Sequence, residues 1–163
     1  MQKNDNWIDQ VVLSMPEYAI EIGSELDTLF NDSTLDEVDI HACALSAAIS
    51  ANNGPLAFEI SMNGPLRGSD EREVAFKAAS FMGRNNLWNR FTKIAGGDTI
   101  VTTDDTNQKK FEMYALASSI VGEDSVSIKS YMSSLEKQGL NTEQLQSIAK
   151  IACIVVAIGK VTP

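Results

Sequence analysis

Residues 34–50 read Thr34-Leu35-Asp36-Glu37-Val38-Asp39-Ile40-His41-Ala42-Cys43-Ala44-Leu45-Ser46-Ala47-Ala48-Ile49-Ser50. Leu35, Val38, Ala42, Leu45 and Ile49 recur at intervals of 3, 4, 3 and 4, the rhythm of one helical face. Thr34 and Glu37 stand at the spacing of a capping box, where a hydroxyl and a carboxylate satisfy the free N–H groups of a first turn. The stretch predicts a helix from about Leu35 to Ser50.

The same rhythm continues on both sides. Upstream, Pro16 to Phe30 predicts a helix with Ile20, Leu26 and Phe30 at apolar positions and proline in its first turn. Downstream, Asn52-Asn53-Gly54-Pro55 breaks the chain, and a short helix follows from Leu56 to Met62, ended by Asn63-Gly64-Pro65. Ser69 is a good N-cap, with Asp70, Glu71 and Glu73 at the positive end of the helix dipole. That longer helix carries Val74, Ala78, Phe81, Met82 and Trp88 on its apolar face and stops at Gly96-Gly97. Asp98 to Asn107 is polar and reads as an exposed loop. Three helices complete the pattern: Gln108 to Val121, Asp124 to Lys137, and Thr142 to about Gly159, with Asn141 or Thr142 as the last cap. No run alternates as a strand would. The fold class is all-α with about six to eight helices, and residues 15–163 form a single domain after a segment 1–14.

Composition narrows the function. The 163 residues fit one domain, and a chain of that size hides roughly 70% of its unfolded surface. The net charge of −9, from 13 basic and 22 acidic residues, opposes nucleic acid and anionic membranes as partners, because phosphate binding needs a clustered basic face. No uninterrupted apolar run reaches the roughly 18 residues of a membrane span, and Met1 to Asn6 has no secretory apolar stretch behind it. The expectation is a cytoplasmic protein. Cys43 and Cys153 are its only cysteines and form no C-x-x-C. Each falls in an apolar helical pattern and is expected to be a buried structural thiol. His41 is the only histidine, so no metal site is expected, since zinc needs more nitrogen or sulfur ligands. No cofactor motif is present.

Two segments carry a resemblance. Phe81-Met82-Gly83-Arg84-Asn85-Asn86-Leu87-Trp88-Asn89-Arg90-Phe91 contains a Met-x-x-Asn-Asn-x-aromatic-x-Arg core. Phe111-Glu112-Met113-Tyr114-Ala115-Leu116-Ala117 is followed by Lys137-Gln138-Gly139-Leu140 and Glu143-Gln144-Leu145-Gln146-Ser147-Ile148-Ala149-Lys150-Ile151-Ala152. With Met15-Pro16-Glu17-Tyr18-Ala19, these resemble the alkylhydroperoxidase D group of the carboxymuconolactone decarboxylase superfamily over residues 15–159. The resemblance implies an all-α bundle assembled as a homo-oligomer, a trimer or a multiple of one. It also implies an antioxidant role in which a C-x-x-C pair reduces peroxides, assisted by a glutamate and a histidine.

Counted without gaps, the glutamate is Glu112. The two cysteine positions fall on Asp124 and Ser127, the relay histidine on Tyr131, and a histidine of some members on Val126. Neither aspartate nor serine can attack a disulfide or a peroxide as a thiolate does. Asp124 then reads either as a helix cap or as one of two carboxylates sharing a proton in acid–base work, with Tyr131 as a hydrogen-bond donor. Glu112 reads either as an exposed first-turn acid or as a residue facing a buried pocket. The asparagine-rich stretch reads as a pocket wall or as a subunit contact. Three functions follow: a peroxidase homologue without thiol chemistry that serves as a partner in oxidative defence, a carboxylate enzyme acting on a small organic acid, or a small-molecule binding protein.

Overall fold

A computed structural model describes residues 6–161. Its elements are α1 (Trp7–Ser14), a 3-10 turn (Glu17–Ala19), α2 (Ile20–Asp32), α3 (Glu37–Ser50), α4 (Gly54–Met62), α5 (Asp70–Ala95), α6 (Gln108–Val121), α7 (Ser125–Lys137) and α8 (Thr142–Lys160). There is no strand among the described residues. The all-α expectation holds, with eight α-helices among the described residues.

Helices α3 and α6 form the centre. Asp39 to Ala48 and Phe111 to Ser119 are buried without interruption, so neither helix has a solvent face, as expected of a helix enclosed on all sides. Small side chains bring the two together. Ala42, Cys43, Ala44, Ala47, Ala48, Ala115 and Ala117 are buried in the core, and Ser46 Oγ reaches the Tyr114 carbonyl at 2.9 Å and Ser118 Oγ at 2.6 Å. Their hydroxyls satisfy one another, which removes the penalty of burying them. Around this pair stand α5, α7 and α8, with α4 and α2 farther out.

One partly exposed ionic cluster links α3, α5 and α6. Asp39 accepts from the Tyr114 hydroxyl at 2.6 Å and from Lys110 Nζ at 2.9 Å, and Lys110 also meets Glu71 at 3.4 Å. Burial, then the Asp39 carboxylate, pushes the Tyr114 phenol far above its ordinary range, so it stays a donor.

The boundaries follow local chemistry. Ser69 Oγ caps α5 through the Arg72 N–H at 3.3 Å. Asn141 and Gln144 form a reciprocal capping box on α8. The start of α3 differs from the expectation. Ser33 Oγ accepts the Leu35 N–H at 3.1 Å, Asp36 takes the N-cap position, and Thr34 caps nothing. Pro16 precedes a 3-10 turn, so the α-helix there begins at Ile20, whose side chain is exposed. Helix α1 precedes the first helix that periodicity marks, and its Trp7 is buried in the core.

Helix α8 is long and apolar enough to cross a membrane by length and composition. It packs instead against α2, α3 and α6. Those three neighbours account for its apolar run Ile151 to Val156 within one chain, so the run is no sign of a second subunit. Cys43 is buried as expected, but Cys153 is exposed. It lines a groove between α2 and α8 rather than the core. The two thiols are free.

Candidate functional site

Helix α5 changes character halfway. Val74, Ala78 and Met82 set a buried stripe, and Asn85, Asn89 and Thr92 continue it at steps of 3 and 4. Trp88 lies off this stripe and is 41% exposed, against expectation. The asparagines are therefore buried, and their partners lie in the same chain. Asn89 brackets one residue of the 98–107 segment, accepting from the Ile100 N–H and donating to the Ile100 carbonyl, each at 2.8 Å. Asn85 donates to Thr102 Oγ1 at 2.8 Å, and Trp88 Nε1 donates to the Asp98 carbonyl at 2.8 Å. The segment expected as a free loop is thus fastened along α5, although most of its side chains are exposed.

Helix α7 faces this strap. Ser127, Tyr131, Ser134 and Gln138 follow at 4, 3 and 4, one side of a helix turned inward. Asp124 is its N-cap: Oδ1 accepts the Ser127 N–H at 3.1 Å. Oδ2 accepts from Ser127 Oγ at 2.6 Å and from Asn89 Nδ2 at 2.9 Å. Both residues are buried.

Glu112, one turn into α6, is also buried. The exposed alternative is excluded. Its carboxylate accepts from Ser134 Oγ at 2.9 Å, from Gln138 Nε2 at 2.5 Å and, at 3.4 Å, from Thr103 Oγ1. Tyr131 donates to the Thr102 carbonyl at 2.5 Å and lies 3.5 Å from the sulfur of Met82. Burial, then the charges of Glu112 and Asp124, holds its phenol well above the ordinary value. It keeps its proton and acts as a donor.

The four residues singled out from sequence therefore lie in one buried region built by α5, α6, α7 and the strap. They form two separate clusters. Asp124 and Ser127 belong to one, centred on Asn89. Glu112 belongs to the other, with Ser134 and Gln138. No hydrogen bond joins Glu112 to Asp124 among the described residues. Sequence reading missed Ser134, Gln138, Thr102 and Thr103. The first two continue the spacing that starts at Ser127, and that signal could have found them. The strap residues have no such signal.

Thiol chemistry has no sulfur in these clusters except that of Met82. Cys43 points elsewhere, its Sγ 3.7 Å from the Met113 carbonyl. Burial, then Asp39, pushes its thiol well above the normal range, so it is protonated and a poor nucleophile. No group of three or more His, Cys, Asp or Glu residues suited to a metal occurs among the described residues.

The turn before α7 is fitted to α5. Asn86 Nδ2 donates to the Ser118 carbonyl at 3.0 Å, and a Cβ at Gly122 would stand 2.2 Å from that nitrogen. Glycine at this position lets the asparagine cross the end of α6.

No protein-family model matches the chain. Individual proteins do. An alkyl hydroperoxide reductase AhpD of Maricaulis maris is 30% identical over 94% of this chain and 96% of its own length. Proteins of the same name from Gluconacetobacter diazotrophicus and Corynebacterium kroppenstedtii are each 26% identical. The first alignment covers 88% of this chain and 86% of the relative, the second 94% of both. Similarity of this extent, over a bundle of the expected helical class, means that the chain belongs to the AhpD family of alkyl hydroperoxide reductases.

Proposed function

We propose that this protein keeps the AhpD fold but has given up thiol-dependent peroxide reduction, and that it serves as a non-redox member of the family's antioxidant system. The observation that carries this reading is the state of Asp124 and Ser127. They stand where the resemblance puts the reactive cysteines. The Asp124 carboxylate is a buried cap with three donors from Asn89 and Ser127. Such a cluster is a finished structural unit, in which each buried polar group has its partner. Reduction of a hydroperoxide by a dithiol needs a thiolate to attack oxygen and a second thiol to close the disulfide. Neither role can be filled by an aspartate or a serine. Acid–base chemistry by a carboxylate pair finds less support, because Glu112 and Asp124 hold separate sets of partners.

The same reading includes assembly as a homo-oligomer, a trimer or a multiple of one. Leu87, Phe91 and Ile94 recur at 4 and 3 on the outer side of α5 and are 67%, 54% and 91% exposed. A row of large apolar side chains in water favours a covering subunit.

The test is to restore the pair. An Asp124→Cys, Ser127→Cys variant, assayed with a dithiol reductant, should consume hydroperoxide above the wild-type background. Equal consumption by variant and wild type would reject the reading.

A further inference from the structure

The tetrapeptide Asn-Gly-Pro-Leu occurs twice, at Asn53-Gly54-Pro55-Leu56 and at Asn63-Gly64-Pro65-Leu66. One copy starts α4 and the other follows its end. Asparagine before glycine is prone to cyclise, because glycine has no side chain to hinder attack by its own nitrogen. The following residues are the same in both copies, so the sequence gives the two asparagines similar intrinsic reactivity. A difference between them comes from the fold.

The first copy is locked. Asn53 is the N-cap of α4, and its Oδ1 accepts the Leu56 N–H at 3.2 Å. Its carbonyl accepts the Ala57 N–H at 3.0 Å, and its own N–H donates to the Ala48 carbonyl at 2.9 Å. Its amide lies against α8, since a Cβ on Gly159 would stand 3.6 Å from Nδ2. Bringing Cγ onto the Gly54 nitrogen turns the peptide between the two residues. That motion breaks the cap and the first bond of the helix.

The second copy is loose. Asn63 is exposed at the C-terminal end of α4. Its N–H donates to the Glu59 carbonyl at 2.9 Å, and Nδ2 donates to Glu59 Oε2 at 2.7 Å in contact with water. Its carbonyl and the Gly64 N–H have no hydrogen bond among the described residues. Turning the peptide between Asn63 and Gly64 therefore gives up one side-chain bond, which water replaces. Local opening is cheapest where few bonds must break.

We propose that Asn63 is a site of spontaneous deamidation and that Asn53 is protected from it. The Gly64 nitrogen loses its proton to base and attacks Asn63 Cγ. A C–N bond forms, the bond from Cγ to Nδ2 breaks, and that nitrogen takes a proton from water and leaves as ammonia. Water then opens the cyclic imide at either carbonyl, giving aspartate or isoaspartate. The position gives this change a consequence. Asn63 and Gly64 line a cleft of about 710 Å³ where α1, the end of α2, the start of α3 and the 63–67 turn meet, together with His41, Glu37, Asn31 and Arg67. A Cβ on Gly64 would stand 3.7 Å from His41 Cδ2 and 3.7 Å from Trp7 Cδ1, so this glycine backs onto two buried rings. Deamidation puts a carboxylate, ionised at neutral pH, beside Glu59 in place of the donor that Glu59 now has. Isoaspartate also lengthens the main chain by one carbon. Both changes reshape the wall of the cleft.

The test incubates the full chain in mildly alkaline buffer below its melting transition, beside the same chain unfolded in urea. Cleavage after glutamate places Asn53 on residues 38–59 and Asn63 on residues 60–71. Mass spectrometry reads conversion on each peptide, and an isoaspartyl methyltransferase labels the isoaspartate. The expected result is conversion at Asn63 several-fold faster than at Asn53 in the folded chain, with comparable rates in urea. Gly64→Ala should suppress conversion at Asn63 and leave Asn53 as it was. His41 is the only histidine, and its ring signals in nuclear magnetic resonance should shift as Asn63 converts. Equal rates at the two sites in the folded chain would overturn the proposal. So would an Asn63 that stays intact in the folded chain while both sites convert in urea. Unmoved His41 signals after conversion would overturn the effect on the cleft.

Discussion

The Asp124 region and the His41 cleft are opposites. In the first, the carboxylate, the serine hydroxyl and the asparagine amide bond to one another and leave nothing for a guest. In the second, the His41 ring borders an opening, and the neighbouring Trp7 N–H is sealed from solvent without an acceptor. Resemblance directs attention to the first, because ancestral chemistry is read by position. An opening lined by His41 and several amides directs it to the second. The lesson is that a site's position in a family alignment and the present state of its polar groups are separate properties.

The difference is sharpest under truncation. Asp124→Ala removes the α7 cap, worth roughly 0.5–2 kcal/mol, and strands the buried Ser127 hydroxyl, whose acceptor it is, at about 1–3 kcal/mol. A total loss of about 2–4 kcal/mol in urea denaturation is expected. A loss under about 0.5 kcal/mol would mean that the cluster is not structural.

Adding one methyl to each region gives a smaller contrast. Gly122→Ala drives a carbon to 2.2 Å from Asn86 Nδ2 and should cost roughly 1–3 kcal/mol by overpacking. Gly64→Ala makes only 3.7 Å contacts and belongs with the substitutions that change stability by about 0.5 kcal/mol or less. Thermal melts of the two variants side by side would break the comparison if their order were reversed.

These two glycines also mark how far the sequence could be read. The ends of α5, α7 and α8 were legible because Ser69, Asp124 and Asn141 cap by local side-chain bonds, which depend on neighbours in sequence. Helix α6 was legible from its apolar spacing. The start of α3 was not, since Ser33, Thr34 and Asp36 compete for one turn and only tertiary packing selects among them. Helix α1 has eight residues, too few to show a period, and Trp7 is recognisable as core only with Phe30 and His41 beside it. Of the site, Glu112, Asp124, Ser127 and Tyr131 were legible by resemblance. Their partners Thr102 and Thr103 were not, because a polar strap looks like any exposed loop until Asn85 and Asn89 fasten it. Cys153 sits in the same apolar pattern as its buried neighbours, and only the groove between α2 and α8 distinguishes it.

A still smaller effect separates the regions by pH. His41 has a folded-state proton affinity below its ordinary value, from burial. The unfolded chain takes up a proton near pH 6.5, whereas the folded chain resists until lower pH. Stability therefore falls as pH drops below about 6.5, by at most about 1.4 kcal/mol per unit. Subtracting the profile of a His41→Gln variant isolates this contribution from that of the carboxylates. A difference profile that is flat between pH 7 and 5, or that rises toward acid, would contradict the assignment of a neutral buried imidazole.

The most direct test of the central claim is steady-state hydroperoxide consumption with dihydrolipoamide as reductant. Wild type is run beside a Cys43→Ser, Cys153→Ser variant and a no-protein control. The prediction is that all three give the same rate, because no thiol lies in the clusters at Asp124 and Glu112 and neither cysteine has a resolving partner. Turnover in the wild type that disappears in the double variant would contradict the account by identifying a working thiol. Turnover that persists in it would contradict the account by assigning peroxide chemistry to groups other than sulfur.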